Sequence, residues 1–213
     1  MTPTAMLALA TAAFVVTHFV SSTPLRPALV ARIGERPYQG LYVVVAFITL
    51  GWMGWAFAQA PREALFPGLR EAPYILMPFA FVLLACGFGR NPTIVGAEKL
   101  LKSEEPARGM IRVTRHPIMW AFMLWAVAHI LARGDVKSLI FFGGLLVVAA
   151  LGTVFMDLRK KANPDFARFE AVTSNLPFKA VLEKRNHIVW REIGWLLPLI
   201  GLAACFGVLS FHP

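Results

Sequence analysis

The chain has 213 residues, of which 57% are hydrophobic and only 15% charged, with a net charge of +9 and a mean hydropathy of +0.62. A soluble domain carries roughly 25% charged residues, so the composition excludes an ordinary soluble fold and reads as an all-α, polytopic membrane helix bundle. The basic excess lacks any interleaved aromatic-basic pattern. It is assigned to one membrane face and to anionic lipid rather than to nucleic acid.

Windows of about twenty residues give six apolar segments, Thr4–Ser21, Tyr38–Ala58, Pro73–Gly89, Pro117–Leu131, Ser138–Met156 and Trp190–Phe211, in one membrane domain spanning 1–213. The first lacks a basic stretch before Met6 and a small-x-small site after Val20, so it is read as a retained helix and not a signal peptide. Thr11, Phe14 and His18 share one of its faces, which points the imidazole into the bundle. In the second, Gly51 and Gly54 beside Trp52 and Trp55 suggest close approach of a neighbouring helix.

Pro37, Pro73 and Pro117 stand at helix entrances, where a missing N–H costs nothing. Pro78 and Pro198 lie inside apolar segments and are expected to kink them. Pro117–Leu131 spans only about 22 Å at 1.5 Å per residue, which puts His116 and Arg133 at its two interfaces. Gly143-Gly144 in the fifth segment permits helix association.

The connections at 22–37, 90–116 and 157–191 hold three, six and eight Lys/Arg, against two each at 59–72 and 132–137. The positive-inside rule then makes the three basic connections cytoplasmic and both termini non-cytoplasmic, as in a bacterial inner membrane. The 90–116 connection contains an amphipathic run, Ile94–Lys102, and ends in Val113-Thr114-Arg115-His116-Pro117. The 157–191 connection carries Phe166, Phe169 and Phe178 among charges, a pattern for a segment that lies on the membrane or folds back over the bundle mouth.

Cys86 and Cys205 fall at different depths and are read as packing thiols without a disulfide. Among the histidines, His187 and His212 sit in polar or terminal positions. His129 shares a stripe with Ile118, Phe122 and Trp125, and His116 one with Trp120 and Met123. His116 and His129 are separated by about 20 Å of rise and roughly 220° of rotation on a straight helix, so they cannot ligate one metal together.

His18 can pair with either. Two neutral imidazoles from different helices are the usual axial pair for a b-type haem, whose apolar macrocycle suits a Phe/Trp-rich interior. The plain structural alternative is that each imidazole hydrogen-bonds a carbonyl or hydroxyl on a neighbour. Arg115-His116 likewise reads either as an interfacial anchor to lipid phosphate or as a clamp for an anion, such as a haem propionate or a substrate head group.

The chain resembles the NnrU family of membrane proteins. The resemblance rests on His18, Arg32-Ile33-Gly34-Glu35-Arg36 with Tyr38-Gln39-Gly40-Leu41-Tyr42, Arg90-Asn91-Pro92-Thr93, Pro106-Ala107-Arg108-Gly109, Thr114-Arg115-His116-Pro117 with Trp120, Ala128-His129, Asp157-Leu158-Arg159-Lys160 and Thr173-Ser174-Asn175-Leu176-Pro177-Phe178. It implies a link to nitrite and nitric oxide reduction, from which the family is named. Through the related zeta-carotene isomerases, it also implies a haem b enzyme that isomerises an apolar polyene entering from the bilayer. On that resemblance His18 and His129 are the favoured haem ligands, with His116 the alternative and Arg115 left for propionates.

The chain also resembles, more distantly, the isoprenylcysteine carboxyl methyltransferase-like membrane enzymes, through Arg115-His116-Pro117 and the Asp157, Phe166, Phe169, Pro177-Phe178 series. That resemblance implies S-adenosylmethionine as cofactor. Met119, Ala121 and the single Asp157 depart from its pattern. A third reading is a non-enzymatic accessory subunit of a respiratory complex.

Overall fold

A computed structural model describes residues 1–94, 96–161 and 163–212. The described elements are helical: α1 (Pro3–Phe19), α2 (Leu25–Ile33), α3 (Glu35–Gln59), α4 (Ala72–Gly87), α5 (Pro117–Arg133), α6 (Val136–Lys160), α7 (Pro164–Val172), α8 (Lys179–Leu182), α9 (Trp190–Ile193) and α10 (Leu196–Phe211). Three helical stretches, Pro3–Ser22, Glu35–Gln59 and Val136–Lys160, are long and apolar enough to cross a membrane, and α4, α5 and α10 are shorter apolar helices. Each of the six apolar segments thus contains an apolar helix.

Local chemistry sets several ends. Thr2 caps α1, its hydroxyl accepting from the Ala5 amide at 3.2 Å, with Pro3 in the first helical position. Asp135 does the same for α6, its Oδ1 accepting from the Ser138 amide at 2.8 Å. The sixth segment, expected to run unbroken from Trp190 to Phe211, is divided: Gly194, with φ +67°, ends the short polar turn α9 before α10 begins. Pro198 therefore falls in the first turn of α10, where it interrupts little, whereas Pro78 lies well inside α4.

The chain forms two compact units, Met1–Pro73 with Ala126–Phe155, and Tyr74–Trp125 with Met156–Pro213. In the first, Leu7, Ala10 and Phe14 of α1 pack with Met53 and Ala56 of α3 and with Ala60. Gly144 of α6 gives Thr11 its place, since a Cβ there would strike the threonine methyl. The glycines flagged on α3 behave otherwise: a Cβ at Gly51 or Gly54 would meet open space, so neither marks a helix contact. Trp55 is correspondingly exposed, while Trp52 packs on the core.

In the second unit α10 presses on α4, a Cβ at Gly201 falling only 2.6 Å from the Phe81 carbonyl oxygen. The two long basic connections fold onto each other here. α7 buries Phe166 and Phe169 completely against Leu101, Ala107 and Ile111, so these aromatics serve a small core, and Phe178 alone of the three stays half exposed. Of the amphipathic run expected at Ile94–Lys102, Val95 lies outside the described residues and Glu98–Lys102 is a 3-10 turn. The connection at 22–37 also contains a helix, α2, that apolar-window reading passes over.

Candidate functional site

The Val113–Pro117 motif is tied to the 173–178 segment by backbone. Arg115 N–H donates to the Ser174 carbonyl and Phe178 N–H to the Val113 carbonyl, each at 2.8 Å. The Thr114 hydroxyl and the Trp120 indole both donate to the Asn175 carbonyl, at 2.7 and 2.8 Å. The entrance to α5 is thereby pinned to a turn some sixty residues later, and residues 111–117 are buried throughout.

His116, only 2% exposed, places Nε2 at 2.8 Å from Asp157 Oδ1 near the end of α6. The carboxylate only accepts, so Nε2 carries a proton, and it is Nδ1 that holds the lone pair whenever the ring is neutral. Nδ1 is buried and has no hydrogen-bond partner. Arg115 adds a second charge to the same carboxylate, with Nε 3.4 Å from Asp157 Oδ2 and a terminal nitrogen 3.5 Å from Glu170 Oε1. Its guanidinium lies 5.9 Å from the centre of the Phe166 ring. Burial pushes the Arg115 guanidinium below its usual value, against the pull of Asp157 and Glu170.

A neighbouring network escaped the sequence reading. Arg112, 5% exposed, donates to both oxygens of Glu192 at 2.8 and 2.9 Å, to Asn186 Oδ1 at 2.7 Å and to Glu105 at 3.0 Å. Glu192 also accepts from the Gly109 amide at 2.9 Å. These hydrogen bonds, the one from Arg112 foremost, hold the Glu192 carboxyl down at about 2. With the partners 80 residues apart, no local pattern announces the pair.

Asp135 is a second carboxylate of this kind, 1% exposed and 3.0 Å from Arg62 Nε. Burial would raise its carboxyl, but the hydrogen bond from the Ser138 amide and the charges of Arg133 and Arg62 outweigh it and leave it below the ordinary range.

His18 and His129 belong to the first unit, His116 and Arg115 to the second. On α1, Thr11 and Phe14 are buried and His18 is half-buried on the expected face. The His18 ring centre lies 4.0 Å from that of Phe14 and 5.7 Å from that of Tyr42. Its Nδ1 sits 2.8 Å from the Phe14 carbonyl. A carbonyl accepts only, so Nδ1 carries the proton and Nε2 keeps its lone pair. His129 stacks on Phe142 of α6 at 4.6 Å and 28°.

Cys86 and Cys205 are both buried free thiols, as their depths along the chain suggest. Among the described residues, no group of three or more His, Cys, Asp or Glu comes together that would hold a metal ion by itself.

The fold and these polar clusters define an all-α membrane protein in which histidines and charged pairs are set among apolar helices. Residues 6–213 match the family model described as NnrU protein, and the chain belongs to the NnrU family. It is also similar to 15-cis-zeta-carotene isomerase, chloroplastic, of Arabidopsis thaliana, at 27% identity over 201 residues that cover 85% of this chain and 52% of that protein. The chain thus spans about half the length of that relative. No solved structure matches.

Proposed function

We propose that this NnrU protein is a membrane isomerase that acts on an apolar cis-polyene and holds haem b through His18. The observation that carries the reading is the 2.8 Å contact from His18 Nδ1 to the Phe14 carbonyl. Fixing the second nitrogen in this way is how proteins orient an imidazole whose Nε2 binds a metal. Tyr42, half-buried beside His18, adds aromatic surface of the kind a porphyrin packs against. The relative's name supports isomerisation as the chemistry.

His129 lies too far off to share that iron: it stacks on Phe142, whereas Phe19, next to His18, packs on Phe155, about 20 Å further along α6. His116 carries a comparable arrangement within the second unit: Asp157 orients the ring through Nε2, and Nδ1 has no hydrogen-bond partner. A bound haem would supply a redox-active iron able to lower the barrier to rotation about a conjugated double bond. The chain's own residues do the remaining work. His18 would orient the cofactor, and the aromatic walls would exclude water. Arg115 and Asp157 brace the entrance to α5.

The reading takes six spans, with the connections at 22–37, 90–116 and 157–191 on the cytoplasmic side of a bacterial inner membrane and both termini opposite. α3 leaves Phe47, Ile48 and Trp55 uncovered, an apolar surface suited to a substrate that arrives through lipid.

The test is direct. Purified protein supplied with a cis-polyene in micelles should yield the trans isomer by chromatography, and His18→Ala should abolish turnover. A haem-replete preparation that leaves a panel of cis-polyenes unchanged overturns the isomerase assignment.

A methyltransferase reading draws on one observation, that Arg115, His116, Asp157, Phe166 and Phe169 gather in one cluster. Phe166 and Phe169 are 0% exposed, however, and already form a core. Those rings present no face to S-adenosylmethionine, which is why haem is preferred.

A further inference from the structure

A cavity of about 570 Å³ in the second unit is walled by the end of α4, the Arg108–Met110 turn and α9, with Cys86, Arg90, Arg108, Gly109, Arg191 and Glu192 on its lining. We propose that it is a binding site for a phosphate-bearing anion, filled either by the head group of an anionic phospholipid or by a soluble phosphate.

Three separate stretches of chain bring their guanidiniums to one cavity. Two of them, Arg90 and Arg191, are exposed and make no hydrogen bond or ion pair among the described residues. Arg108 has only long contacts, 3.5 Å to Glu105 and 3.6 Å to Glu192. The one carboxylate on the wall among the described residues, Glu192, is neutralised from behind by the bidentate Arg112. Excess positive charge therefore faces the cavity, with planar donors that match phosphate oxygens.

The walls are also fixed in advance. Gly109, at φ +59°, lets its turn approach the Glu192 carbonyl so closely that a Cβ would lie 3.2 Å from it, and the Gly109 amide donates to Glu192 Oε2. Preorganisation of this kind reduces the ordering cost of binding. The cavity opens where apolar α4 ends and shortly before apolar α10 begins. That is head-group depth for a chain seated in a bilayer. Its volume is that of a small-ligand site.

The experiment uses the full chain in neutral detergent, with native mass spectrometry and thermal shift against three probes: phosphatidylglycerol, phosphatidylcholine and inorganic pyrophosphate. The double variant Arg90→Gln, Arg191→Gln removes the two unpaired cations without touching the Arg112–Glu192 lock. Lys99→Gln, Lys102→Gln lowers net charge equally, elsewhere in the same connection.

Retention of phosphatidylglycerol over phosphatidylcholine, weakened about tenfold or more in the arginine variant only, identifies the lipid source. Protection by pyrophosphate with the same variant dependence identifies a soluble phosphate. The proposal is overturned if neither anion binds, if the arginine variant binds as the wild type does, or if the lysine variant loses as much.

Discussion

His116 Nε2 donates to Asp157 Oδ1 across 2.8 Å, joining the start of α5 to the end of α6. Both residues are almost fully buried, and the same carboxylate faces Arg115. Removing one member of such a set leaves uncompensated charge in a place water cannot reach. Asp157→Ala should therefore lower stability by about 3 kcal/mol, and Asp157→Asn by about half of that because its amide oxygen can still accept. Apparent unfolding free energy in detergent reads this out. A double-mutant cycle with His116→Ala should show strong coupling; additive losses would mean that the pair does not act together.

Glu192 carries a pH dependence. Its folded value of about 2 lies below the ordinary 4.5, so the stability it contributes is fully present above 4.5 and lost as pH falls toward 2. Glu192→Gln should flatten that acid limb while leaving the neutral baseline lower than in the wild type. Unfolding midpoints taken at half-unit steps from pH 5 to 2 test this. Parallel acid limbs in the two proteins would rule out Glu192 as their source.

The close approach of α10 to α4 needs Gly201. Any side chain at Gly201 drives into the Phe81 carbonyl, whereas a Cβ at Gly207 on the same helix meets nothing within 4 Å. Gly201→Leu should cost several kcal/mol, beyond the ~1–3 kcal/mol usual for overpacking because backbone must move, and Gly207→Leu should be near neutral. Thermal midpoints of the two variants, purified side by side, decide it. Equal losses would place α10 away from α4.

These outcomes follow from contacts that were unequally legible in the sequence. Apolar runs located the long helices because hydrocarbon demands length and continuity, and the entrance prolines located their starts. Gly194 divided the sixth run, since a positive φ outweighs the apolar pattern around it. The motif at 113–117 stood out, but its partners did not: Asp157, Ser174 and Asn175 reach it through tertiary folding. Arg112 and Glu192 looked like ordinary loop charges for the same reason. The phenylalanines of α7 were legible as amphipathic, yet whether they would face lipid or a core of loop residues depended on Leu101 and Ile111 being opposite.

The proposed function turns on His18, which the Phe14 carbonyl holds through Nδ1 so that Nε2 would face haem iron. Its most direct test is the absorption spectrum of the protein purified from haem-replete cells, beside His18→Ala, His129→Ala and His116→Ala variants of equal monodispersity. A Soret band and ferrous bands are expected in the wild type, lost in His18→Ala and retained in His129→Ala and His116→Ala. Retention of the bands in His18→Ala would overturn the assignment of His18 to the iron. A wild-type spectrum without those bands, unchanged by reconstitution with haem, would rule out haem binding through His18.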